Sequence, residues 1–174
     1  MKKYHFIGFI VTAIFGTLLH FVYKWSGEMP FFGIIGAANE SVWEHTKLLA
    51  IPMLIYGAAE YFLYGRELKG FLPARLLSIL LGMAIIIAGY YTYTGAFGTE
   101  SMAADIALFY VAVAAAYGFG WWLMKERRFP SPAAEYAALA GVLILLTLII
   151  WFSLDPPKLP LFMDSITGGY GIKD

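Results

Sequence analysis

At 174 residues, with 60% hydrophobic and 14% charged side chains and a mean hydropathy of +0.70, the chain is far more apolar than a soluble domain, where about 45–50% is usual. Twelve basic residues balance twelve acidic ones, which argues against a nucleic-acid partner and the basic surface it needs. The absence of cysteine excludes disulfides, thiolate catalysis and cysteine metal sites. The apolar excess is gathered in blocks of about twenty residues, the length a helix needs to cross about 30 Å of hydrocarbon. The expected fold class is therefore all-α, an integral membrane bundle forming one domain over residues 1–174.

The first run spans 6–25 after Lys2 and Lys3. No small-residue cleavage site follows at Trp25-Ser26-Gly27-Glu28, so it reads as an uncleaved span rather than a signal peptide. Thr12, Gly16 and His20 recur every four residues within it. Small residues at this spacing let helices approach closely in lipid, so His20 is expected to face protein, with Lys24 continuing the row. The segment 31–38 is apolar but too short to cross, and is expected to lie in the interface or to re-enter the bundle. Four further spans follow at 46–64, 71–94, 103–124 and 134–154, and the tail 155–174 begins with Asp155-Pro156-Pro157, which ends the last helix.

Basic residues in the short loops set the expected orientation. With the N-terminus in and the C-terminus out, Lys2, Lys3, Arg66, Lys69, Arg75, Lys125, Arg127 and Arg128 lie inside, against Lys24, Lys47, Lys158 and Lys173 outside. Glu28, Glu40, Glu44, His45, Glu100, Asp105, Asp155 and Asp164 then also fall at the outer end, with His20 one turn below it, while Glu60 lies near the inner end of the second span.

The stretch Asn39-Glu40-Ser41-Val42-Trp43-Glu44-His45-Thr46-Lys47 places two carboxylates, an imidazole and an ammonium immediately before an apolar span. Ionisable groups at membrane depth are costly and mark functional sites. If 40–47 is helical, Glu40 and Glu44 share a face with Lys47, and His45 is rotated about 100° away. The alternative is an interfacial helix start, with Asn39 as N-cap, Trp43 in the aromatic belt and Lys47 snorkelling. Candidate catalytic residues are Glu44, Glu40 and His45. Candidate ligand-binding residues are Asn39, His20, Lys24, Tyr91, Tyr93, Asp105 and Asp164, the last brought in by the tail folding over the outer mouth as a lid. His20, Glu40, Glu44 and His45 form a carboxylate and imidazole set suited to a divalent metal such as zinc, manganese or iron.

With Tyr90-Tyr91-Thr92-Tyr93-Thr94-Gly95, Asp105, Pro156-Pro157 and Tyr170-Gly171-Ile172 beside the NESVWEH block, the chain resembles a family of small bacterial multi-pass membrane proteins classed only as a domain of unknown function. That resemblance covers nearly the full length. It implies a multi-pass protein of the bacterial cytoplasmic membrane and brings no activity. Three functions are expected in order: an outer polar pocket that binds or transports an ion, a lipid headgroup or a small solute; a metal-dependent membrane enzyme acting on a lipid-linked substrate at the outer leaflet; and an accessory subunit with a structural polar network. Membrane lipid is the expected partner. Five spans are few for a carrier, and a homodimer would relieve that objection.

Overall fold

The computed structural model describes residues 2–172. Six α-helices follow one another: α1 (Lys2–Trp25), α2 (Pro30–Ile35), α3 (Val42–Leu63), α4 (Phe71–Phe97), α5 (Met102–Lys125) and α6 (Pro132–Leu154), with 3-10 turns at Gly65–Glu67 and Pro160–Phe162. Among the described residues there is no strand, and Met163 and Tyr170 form an isolated bridge in the tail. All the helices except α2 are long and apolar enough to cross a membrane, and their positions agree with the expected spans to within a few residues. The fold is the expected all-helical bundle.

Helix starts are set by serine. Ser41, Ser101 and Ser131 each stand in extended backbone and accept from the N–H three residues on, at Glu44, Ala104 and Ala134. This satisfies an amide that the first turn leaves unpaired. Gly98, at φ 70°, takes the left-handed conformation that closes α4.

The central helix is α3, packed between α1 and α4, with α5 against α1 and α4 and with α6 against α4. Leu49, Met53, Ile79, Val113 and Ala116 form the core. One face of α1 turns Phe6, Ile10, Ile14 and Phe15 outward, and α6 exposes Leu143, Ile144 and Trp151. Such apolar surface would be a liability in water and is the ordinary lipid-facing side of a spanning helix. The other face of α1, carrying His5, Gly8, Thr12, Ala13 and Gly16, is buried.

Pro52 lies inside α3 and has no N–H, so the Leu48 carbonyl loses its helical partner. That carbonyl faces Gly16, where a Cβ would stand 2.5 Å from the Leu48 oxygen. Here α1 and α3 meet through bare backbone, so only glycine fits.

Two interfacial expectations are corrected. Ser41, not Asn39, is the N-cap, because α3 starts at Val42. Trp43 and Lys47 are 7% and 0% exposed, so neither sits in the aromatic belt nor snorkels; α2 and the tail cover them. The segment 31–38 becomes the short helix α2 and an irregular turn, packed on α1, α3 and α6.

Candidate metal centre

Because α3 begins at Val42, Glu40 stands before the helix while Glu44 occupies its first turn. The two carboxylates, expected on one face, therefore part. Glu40 turns to the imidazoles of α1 and α3, with Oε1 3.8 Å from His20 Nε2 and Oε2 3.6 Å from His45 Nε2. His20, Glu40 and His45 can each offer one ligand atom such that all three lie within 4.8 Å of one another. Tetrahedral zinc, with bonds of about 2.0–2.1 Å, needs ligand separations of about 3.3 Å, so small side-chain rotations suffice. The three side chains are 27–32% exposed, which leaves room for a solvent ligand.

The second contact of His45 matters equally. Its Nδ1 lies 2.9 Å from the Ser41 carbonyl oxygen, which can only accept. Nδ1 therefore carries the proton, and in the neutral ring the lone pair sits on Nε2, toward Glu40. A backbone carbonyl that fixes the tautomer of a histidine in this way is the usual support for a metal ligand. His20 lacks that constraint: its Nδ1 is buried without a hydrogen-bond partner among the described residues.

Glu44 is drawn elsewhere. At 1% exposure its Oε2 accepts from the Ala38 N–H at 2.7 Å and pairs with Lys47 Nζ at 2.8 Å. Lys47 also donates to the Gly33 carbonyl at 2.8 Å and to Ser153 Oγ at 2.7 Å. An ammonium has three donors, and here all three are used, binding α2, α3 and α6 together. The structure thus brings three of the four expected metal residues to one point and assigns the fourth to a buried ion pair.

The tail is ordered over this end. Phe162 packs against Trp43 and Phe152, with ring centroids 5.3 and 4.9 Å away. Asn39 Nδ2 donates to the Gly171 carbonyl at 3.0 Å, while its Oδ1 accepts from the Ser41 N–H at 2.9 Å. Ile172 N–H donates to the Ser153 carbonyl at 2.8 Å. Asp164 folds its own turn, accepting from Ile166 N–H at 3.0 Å and the Thr167 hydroxyl at 2.6 Å. Ser165 Oγ reaches the Glu40 carbonyl at 3.4 Å. Asn39 and Asp164 thus hold the backbone on which Glu40 stands.

Burial opposes ionisation of Asp164. Donors from the Thr167 hydroxyl and from the N–H groups of Ile166, Thr167 and Glu40 outweigh it and hold the carboxyl below its ordinary range. A depressed folded-state pKa contributes stability above the unfolded value, about 3.9 for aspartate, and that contribution is lost as pH falls through the folded value. Asp164→Ala is expected to weaken tail docking by about 1–3 kcal/mol at neutral pH, and wild-type docking to weaken only below about pH 4. Rates of limited proteolysis in the tail check both; a variant cleaved no faster than wild type at pH 7 would remove Asp164 from this role.

The family model described as "Family of unknown function (DUF6512)" matches residues 1–172. The chain belongs to this family. No curated protein and no solved structure matches it.

Tyr91, Tyr93 and Asp105, also expected as ligands in this DUF6512 chain, lie apart from the triad. Tyr93 donates to Asp105 at 2.6 Å and accepts from the Ser101 N–H at 3.3 Å, and Tyr90 donates to Glu100. These bonds brace the α4–α5 hairpin. Tyr91 is 41% exposed, whereas Lys24, exposed at the end of α1, stands one turn beyond His20 and is close enough for its charge to act there. A cavity of about 330 Å³ at the opposite end of the bundle and an open one of about 480 Å³ at the hairpin are lined by none of His20, Glu40 and His45.

A second charged cluster escaped the sequence reading. At the opposite end of the bundle, Glu60 is fully buried, bonded to Arg75 and accepting from the Tyr64 hydroxyl at 2.6 Å, with His5 Nδ1 3.9 Å away. Nearer the middle, Thr12 and the Tyr117 hydroxyl pair at 2.9 Å. The available signal was an acid inside a 19-residue apolar run, which lipid penalises, together with an arginine one turn into the next.

Proposed function

We propose that this membrane protein binds a divalent transition-metal ion through His20, Glu40 and His45 at one boundary of the bilayer. The carrying observation is the convergence of two imidazoles and one carboxylate within 4.8 Å, with the His45 Nε2 lone pair aimed inward by the Ser41 carbonyl. A two-histidine, one-carboxylate set suits zinc and iron and leaves a position open. Under the orientation expected from the basic loops, the site faces outward in a cytoplasmic membrane. Beneath His20 the α1 row is blocked where Gly16 meets the Leu48 carbonyl and Phe109, which favours binding over conduction through this face.

A metal-dependent enzyme acting on a lipid-linked substrate is the second reading, favoured by the partial exposure of all three side chains. It must do without Glu44 as general base, since that carboxylate is committed to Lys47.

The test is zinc titration of the detergent-purified protein, read by native mass spectrometry and thermal stabilisation. One equivalent is expected to bind, with affinity falling about 100-fold or more in Glu40→Gln and in His45→Ala, and to be released on acidification as protons compete for the ligand lone pairs. Glu44→Gln is expected to retain the ion. Stoichiometric binding that survives both triad substitutions, or no binding by wild type, would sink this assignment.

A further inference from the structure

The end of the bundle opposite the metal centre holds a cavity of about 330 Å³ between the Gly65–Glu67 turn, the start of α4 and the first turns of α6. Two cations line it, Arg66 and Lys69. Both side chains are exposed, with no hydrogen-bond or ion-pair partner among the described residues. The acid in the wall, Glu135, is already engaged. Its two oxygens accept from the N–H groups of Gly70 and Leu72, so its charge is set against the positive end of α4. The cavity keeps an excess of positive charge with unoccupied donors.

Its remaining walls are mostly apolar. Leu72 lies on one side and Tyr136 and Leu139 on the other. Tyr136, Leu139 and Leu143 follow one another down the outer face of α6, exposed by 73%, 46% and 57%. A soluble anion would gain nothing from that stripe, whereas acyl chains would lie along it. The required ligand carries a phosphate the size of a headgroup and a hydrocarbon portion on the same molecule.

We infer that this cavity is a binding site for an anionic phospholipid, with the phosphate between Arg66 and Lys69 and an acyl chain along Tyr136, Leu139 and Leu143. Basic pockets among the ends of spanning helices recognise such headgroups, and the positive-inside expectation places this one in the leaflet that is richest in them. The site is independent of the metal reading.

The experiment is native mass spectrometry and thermal melting of delipidated protein with phosphatidylglycerol, phosphatidylcholine or inorganic phosphate. It compares wild type, Arg66→Ala/Lys69→Ala, and Arg127→Ala/Arg128→Ala as a control for charge at the same end. Wild type is expected to retain phosphatidylglycerol and melt higher with it than with either other addition. Affinity should fall about 30-fold in the Arg66/Lys69 variant and stay unchanged in the control, while the two unliganded melting temperatures match that of wild type. Equal retention of phosphatidylcholine would make the contact merely annular. Stabilisation by phosphate alone would make it a free-anion site, and undiminished binding by the Arg66/Lys69 variant would place the lipid elsewhere. Each overturns the proposal. If the Arg66/Lys69 variant melts lower without lipid, Leu139→Trp, which fills the acyl wall and keeps both cations, supplies the same comparison.

Discussion

Lys47→Met is expected to be among the most destabilising single changes in the chain. The ammonium is fully buried and uses every donor, on Glu44, the Gly33 carbonyl and Ser153. Without it Glu44, 1% exposed, keeps only the Ala38 N–H and stands as an uncompensated charge at the membrane boundary. Breaking one side of such a pair costs about 3–5 kcal/mol. Glu44→Gln/Lys47→Met should recover part of that loss, because the orphan charge is gone. Thermal melts of the single and double variants in one detergent give the coupling. Losses that add to within about 0.5 kcal/mol would mean that the two residues act separately. The Glu44→Gln change should therefore be read first in stability and only weakly in metal affinity.

Arg75→Met is expected to have an effect of similar size at the other end. Glu60 has no exposed surface and would be left with the Tyr64 hydroxyl and the His5 ring. The guanidinium also lies over the rings of Phe71 and Tyr117, at 5.8 and 5.2 Å, so packing is lost with the charge. About 3–5 kcal/mol is again the expected cost. The apolar pair Glu60→Leu/Arg75→Met is expected to be much closer to wild type, since replacing both partners removes the cost of desolvating either charge. Denaturant titration in mixed micelles measures this; a double variant as unstable as Arg75→Met alone would show that the polar network, rather than the unpaired acid, determines stability.

The five spanning helices were legible because lipid makes length and hydropathy nearly sufficient. The site was legible only in part, and a single boundary explains why. Had α3 begun at Glu40, both glutamates would have shared a face; beginning at Val42 with Ser41 as cap, it sends Glu40 to the histidines and Glu44 to Lys47. Helix ends depend on one or two hydrogen bonds and are the least determined feature of a sequence. The environment of Lys47 was illegible for another reason: Ser153 lies 106 residues away, and no periodicity links them. The row Thr12, Gly16, His20 did predict that His20 faces protein, since 3.6-residue geometry is local. The tail folds back over this end as its apolar residues led one to expect, and the Trp43–Phe162–Phe152 cluster is what holds it.

The backbone contact at Gly16 has a mechanical side. It lets α1 and α3 approach closely, and the Phe109 ring closes the same spot from α5. His20 lies four residues to one side and His5 eleven to the other, about 6 and 16 Å along the axis at 1.5 Å per residue. Each of these histidines faces a carboxylate, His20 that of Glu40 and His5 that of Glu60, so one close helix contact sets the register of a charged cluster at each end of the bundle.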